Sequence, residues 1–100
     1  MRQPKVKKIT ATIWNDGESK HFEVKGKPAR TLCELVKAAG RGVTALELSN
    51  TWALRLSAYI HDLRHKYGVK IITHREPHDG GTHGRYVLIS PVDITDIQYK

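Results

Sequence analysis

Apolar positions along the chain fall into two periods. From Lys5 to Trp14 they alternate, with Ile9, Ala11 and Ile13 on one face and Thr10, Thr12 and Trp14 on the other. Asn15-Asp16-Gly17 has turn chemistry, and the alternation resumes over Ser19–Lys25 through Phe22 and Val24, so a β-hairpin is expected here. Gly26-Lys27 reads as a short hinge. The period then changes to that of a helix: Leu32, Leu35, Val36 and Ala39 stand at i, i+3, i+4 and i+7, with Pro28 suited to the first turn and Gly40 to the end. Val43 adds a one-residue strand position.

Thr44-Ala45-Leu46-Glu47 has the form of a capping box, in which the Thr44 hydroxyl takes the Glu47 amide and the Glu47 carboxylate takes the Thr44 amide. It predicts a short helix over about Ala45–Leu48. Ser49, Asn50 and Thr51 then offer acceptors that start a longer helix over Trp52–Tyr67. Ala53, Leu56, Ile60, Leu63 and Tyr67 form its apolar stripe, Gly68 its stop, and His65 and Lys66 suit its C-terminal dipole. A short helix, a tight turn and a longer amphipathic helix make a helix-turn-helix pattern. The β-branched run Val69–Thr73 and its expected partner Tyr86–Ile89 enclose Glu76–Gly84, whose proline and glycines predict a long hairpin loop.

Gly42–Glu47, Ala58–Arg64, Tyr67-Gly68-Val69 and Gly84–Leu88 together resemble the winged-helix proteins common in bacterial genomes and prophages; the likeness covers roughly Ala29–Ser90. The resemblance implies an α+β fold, a winged helix-turn-helix of three helices plus a C-terminal β-hairpin wing, here preceded by an N-terminal β-hairpin. The expected organisation is a basic hairpin extension over 1–27, a winged core over 28–90, and a segment over 91–100. In that last segment Val92, Ile94, Ile97 and Tyr99 are apolar enough to cover their own core or to build a dimer contact.

Charge sharpens the picture. One hundred residues suffice for one modest core, and 17 basic against 10 acidic residues give a net +7. Residues 1–30 hold eight Lys/Arg against three Asp/Glu, whereas residues 68–100 hold four of each. A polyanionic partner is the first physical reading of such an excess. A single cysteine, Cys33, excludes an intramolecular disulfide and any Cys/Cys zinc pair. No apolar run has the length of a membrane span or a signal-peptide core, and a cytoplasmic, nucleoid-associated protein is expected.

Within the winged-helix resemblance the chemistry expected is double-stranded DNA binding, with the third helix in the major groove and the wing on an adjacent groove or backbone. Arg55 suits a bidentate contact to guanine, against the alternative of a solvated surface arginine. Asn50 and Thr51 suit a base or phosphate, Tyr59 a phosphate or thymine methyl, and Ala58 lets the backbone approach, while Asp62 opposes it. Arg64 and Lys66 suit phosphates, and Trp52 suits a core or interface anchor. On the wing, Arg75, His78, His83 and Arg85 are the candidate donors, with His74 nearby. Lys5, Lys7 and Lys8 either track the backbone or guard a β-edge. The histidine spacing matches no strong zinc template, though His61 and His65 stand one helical turn apart, and no metal or other cofactor is expected. No phosphate loop, nucleophile elbow or placed carboxylate pair points to an enzyme. A transcriptional regulator or prophage accessory factor is the expected function, and palindromic sites would need a homodimer; the rival is a winged-helix module that binds protein rather than DNA.

Overall fold

The computed structural model describes residues 5–45, 47–48 and 55–100, with His78 described in its backbone alone. The N-terminal alternation forms β1 (Val6–Asn15) and β2 (Glu18–Lys25), paired antiparallel with Asn15 opposite Glu18. The two linking residues, Asp16 and Gly17, have φ of 53° and 83°, the double positive φ of the hairpin turn that follows the twist of its strands. Gly26, at φ 71°, turns the chain from β2 into α1 (Gly26–Ala38) with no intervening hinge.

The face of α1 carrying Ala29, Leu32, Cys33 and Leu35 is buried. It ends in a 3-10 turn, Ala39–Arg41, rather than at Gly40. Gly42 (φ 70°) then crosses tightly under the wing: a Cβ there would lie 2.5 Å from the Tyr86 carbonyl oxygen and 2.7 Å from Val87 Cγ2. β3 is Val43–Thr44. The capping box forms as its residues dictate, with the Glu47 amide on Thr44 Oγ1 at 3.0 Å and the Thr44 amide on Glu47 Oε1 at 3.1 Å. Ala45, Glu47 and Leu48 make a turn around it.

The helix expected over Trp52–Tyr67 is described as α2, Leu56–Lys66; Asn50, Thr51 and Trp52 lie outside the described residues. α2 buries Leu56, Ile60 and Leu63 against α1. The described residues thus hold two α-helices and six strands, where three helices and a terminal hairpin were expected.

The wing differs from expectation in length. β4 runs Ile71–His78 and β5 Gly81–Leu88, so most of Glu76–Gly84 is paired strand and only Asp79-Gly80 turns. Pro77 fits because β4 is an edge of the sheet β3-β5-β4, where one missing donor need not break a ladder. Nor is the hairpin C-terminal. β6 (Val92–Tyr99) follows and pairs antiparallel with β1, giving a second sheet, β2-β1-β6.

The terminal segments are therefore one sheet, and they furnish much of the core. Ile9, Ala11 and Ile13 share a face with Val24 and Phe22 across one ladder and with Ile97, Ile94 and Val92 across the other. That face packs on Leu32 and Leu35 of α1 and joins Ile60 and Leu63 of α2 in one cluster. Val92, Ile94 and Ile97 pack against this core, whereas Tyr99, the fourth apolar residue of the segment, is 53% exposed.

Ser90 joins the sheets. Buried to 4% exposure, its hydroxyl donates to Asn15 Oδ1 at 2.8 Å and accepts the Lys70 amide at 2.9 Å, while Asn15 Nδ2 donates to the Gly68 carbonyl at 3.2 Å. Removing one member of such a set leaves buried donors and acceptors unpaired, at about 1–3 kcal/mol. Ser90→Ala is expected to lower the unfolding free energy by about that amount in urea denaturation. Gly42→Ala, which needs both a positive φ and space that Tyr86 occupies, is expected to cost about as much or more by the same measurement.

Candidate nucleic-acid interface

α2 has an exposed face because its apolar stripe points inward. Arg55, at its N-cap, and Ser57, His61, His65 and Lys66 are exposed, whereas Ala58, Tyr59 and Asp62 are half-buried. The outer face thus adds two histidines that the sequence reading had set aside as a stray metal pair. Their rings lie 4.3 Å apart between centroids. Counting around the helix from Leu56, Ile60 and Leu63 at 100° per residue places both on the outward side, and that signal was available in the sequence.

Arg64 faces the other way. Its Nε and Nη2 donate to the Ile71 carbonyl at 2.9 and 2.6 Å, and Nη2 also donates to Thr73 Oγ1 at 2.8 Å. It ties α2 to β4 rather than standing ready for a phosphate.

The wing cations divide in the same way. Residues directly opposite in an antiparallel pair share a face, so the register places His74, Arg85, Glu76 and His83 on one face, and Thr73, Tyr86, Arg75 and Gly84 on the other. On the first face Arg85 is the centre of a network. Its Nε donates to Glu76 Oε2 at 2.7 Å, its Nη1 to Glu47 Oε1 at 3.0 Å and to the Arg41 carbonyl at 3.1 Å, and its Nη2 to Glu47 Oε2 at 3.4 Å. His83 Nε2 lies 3.1 Å from Glu76 Oε1. Expected as groove-entering donors, Arg85 and His83 instead brace the wing against the 3-10 turn and the capping box. Arg75 is exposed, on the face of the hairpin where Thr73 receives Arg64.

The network shifts its acids and its base. The Arg85 hydrogen bond, assisted by His83 and against some burial, holds the Glu76 carboxyl below its ordinary range. Burial pushes Glu47 up, but the Arg85 hydrogen bond and charge, the Thr44 amide and Arg41 more than offset it and leave it lowered. Hydrogen bonds to Glu76 and Glu47 raise Arg85 above its usual value. Elsewhere, burial raises the Cys33 thiol, against Lys37 and with Glu34, as suits a packed side chain rather than a nucleophile.

Lys5 and Lys7 are exposed at the start of β1; Lys8, half-buried, pairs with Glu23 at 3.5 Å. No three His, Cys, Asp or Glu side chains come together as a metal site among the described residues. No helix among them is long and apolar enough to cross a membrane.

A winged helix domain model matches residues 21–98. The chain belongs to the winged helix domain family. The match takes in β2 and β6, so the family unit includes strands of the second sheet as well as the helices and wing. Domains of this family are, in general, DNA-binding modules of regulators, typically without enzymatic activity. No curated protein and no solved structure matches the chain.

Lowered carboxyl pKa values favour the folded state only where both states are ionised. The contribution of Glu47 and Glu76 is present above the unfolded carboxyl range and is lost as pH falls through their lowered folded values. Wild type is therefore expected to lose stability from about pH 4.5 downwards. Arg85→Met should be less stable at neutral pH and show a flatter decline on acidification, as thermal melts from pH 7 to 3 would read.

Proposed function

We propose that this winged-helix protein binds double-stranded DNA in a sequence-specific manner as a small transcriptional regulator or prophage accessory factor, with the exposed face of α2 in the major groove. The observation that carries this reading is Arg55. It stands exposed at the N-terminal cap of an amphipathic helix, the end from which side chains usually reach base edges. A guanidinium there suits the two acceptors of a guanine edge. Tyr59, Ser57 and His61 would flank it, and Arg75 on the wing would meet the neighbouring groove or backbone. Asn50 and Thr51 belong to this reading by their place before α2 in the sequence. Arg64, Arg85 and His83 support the surface without touching DNA, and His78 is not assigned a contact. A homodimer would present two such helices to a palindromic site.

A second reading, a protein-binding module, draws on Ile72 and Ile89, 42% and 50% exposed, which the β4–β5 register places on the same face of the wing.

Selection from random duplexes should return an enriched site. Arg55→Ala is expected to weaken binding to that site by about 1–3 kcal/mol, relaxing preference at one or two positions while leaving affinity for unselected duplex nearly unchanged. If no site is enriched, or if the variant binds it as wild type does, the reading assigned to α2 falls.

A further inference from the structure

The sheet β2-β1-β6 gathers at one end basic residues that are scattered in sequence. Lys5, Lys7 and Lys8 begin β1, and Lys25 ends β2 directly opposite Lys8. Lys27 and Arg30 stand in the first two turns of α1. Lys100 follows β6, its amide donating to the Lys5 carbonyl at 2.9 Å. The acids one rung further in are Glu23, paired with Lys8, and Asp96. Among the described residues, seven cations against two acids give this end a net charge of +5.

A cavity of about 140 Å³ lies among them, lined by Lys5, Val6, Gly26, Lys27, Arg30 and Lys100. Lys5, Lys27 and Lys100 are exposed, so their ammonium groups reach solvent. Positive charge concentrated around a concave surface is complementary to a polyanion.

We propose that this basic end docks the sugar-phosphate backbone of duplex DNA, with a phosphate at the cavity, as a surface separate from α2 and the wing. The proposal rests on the reading of the protein as a DNA binder but not on which helix reads the bases. β1 spans ten residues, about 30 Å at the usual rise per strand residue, from this end to Asn15 at the base of the wing. That distance is close to one turn of B-DNA, about 34 Å. A duplex held at the basic end can therefore also meet the wing side of the molecule. Contacts to phosphate strengthen binding to every sequence alike.

The test compares salt dependence of binding to random-sequence duplex for the full chain, for Lys5→Gln/Lys27→Gln/Lys100→Gln, and for Lys20→Gln/Lys37→Gln/Lys70→Gln, which removes equal charge elsewhere. Circular dichroism checks that each variant is folded. The first variant should flatten the slope of log K against log salt by about two to three, since each phosphate contact contributes about 0.9. Its ranking of different sites should match wild type. The control should flatten the slope by less than one. An unchanged slope in the first variant, or equal flattening in both, overturns the proposal. No binding by wild type at low salt overturns it together with the DNA-binding reading. A flattened slope in a protein that shows no site preference leaves the docking surface standing and removes only the role given to α2.

Discussion

The hydrogen-bonded seam at Ser90 is the constraint on which the rest of the molecule turns. Two sheets that share no strand are held at a fixed angle where the chain leaves the wing and enters β6. One hydroxyl satisfies a donor from Lys70 and an acceptor on Asn15, and the neighbouring Trp14 amide donates to the Pro91 carbonyl at 3.1 Å. The Ser90 hydroxyl at their centre is itself buried and has few other partners. The apolar cluster would tolerate some sliding of helix on sheet, but the directional bonds at the seam permit one register. The position of the wing relative to the sheet β2-β1-β6, and so to its basic end, follows from that register.

A second fixed point lies on the opposite side of the wing. Arg85 binds two carboxylates and a carbonyl, and a planar guanidinium suits such multiple recognition better than an ammonium would. An isolated surface ion pair contributes little, but a network drawn from β4, β5, the capping box and the 3-10 turn couples four elements at once. Arg64 does for α2 and β4 what Arg85 does for the wing and the capping box. Four arginines of the expected interface have therefore divided, Arg64 and Arg85 turning inward, Arg55 and Arg75 remaining outside.

Local chemistry was readable from the chain: the hairpin turn at Asp16-Gly17, Leu32 and Leu35 on the buried face of α1 (though Ala39, read into the same stripe, lies exposed in the 3-10 turn), the capping box, the stop at Gly68, and the strand position at Val43. Each depends on residues within a few positions of one another. The wing was read too short because Pro77, Gly80, Gly81 and Gly84 are breakers by local rule, whereas the edge strand β4 tolerates Pro77 and β5 accommodates Gly84 opposite Arg75. The pairing of β6 with β1 brings together residues some eighty positions apart, and no local signal announces it. The fate of Arg64 and Arg85 was hidden for the same reason: an arginine on a basic chain looks the same whether its acceptor is DNA or a carbonyl across the fold.

Distance in sequence also concealed how charge is distributed. The N-terminal excess was visible, but Lys100 belongs to a segment of balanced charge, and only the β1–β6 pairing carries it to the cavity beside Lys5 and Lys27. On the outer side of α2, by contrast, Arg55 and Lys66 share the helix with Asp62, His61 and His65. A weakly charged surface gains little from phosphate and must rely on hydrogen bonds of defined geometry, which is what discrimination between bases requires. Strong fields attract any duplex, so a reading helix within the most basic region would be held by non-specific contacts whatever bases lay beneath it. On the proposed reading, the charge lies at the far end of β1, about 30 Å from the base of the wing, so that attraction and discrimination would act on different surfaces of the domain.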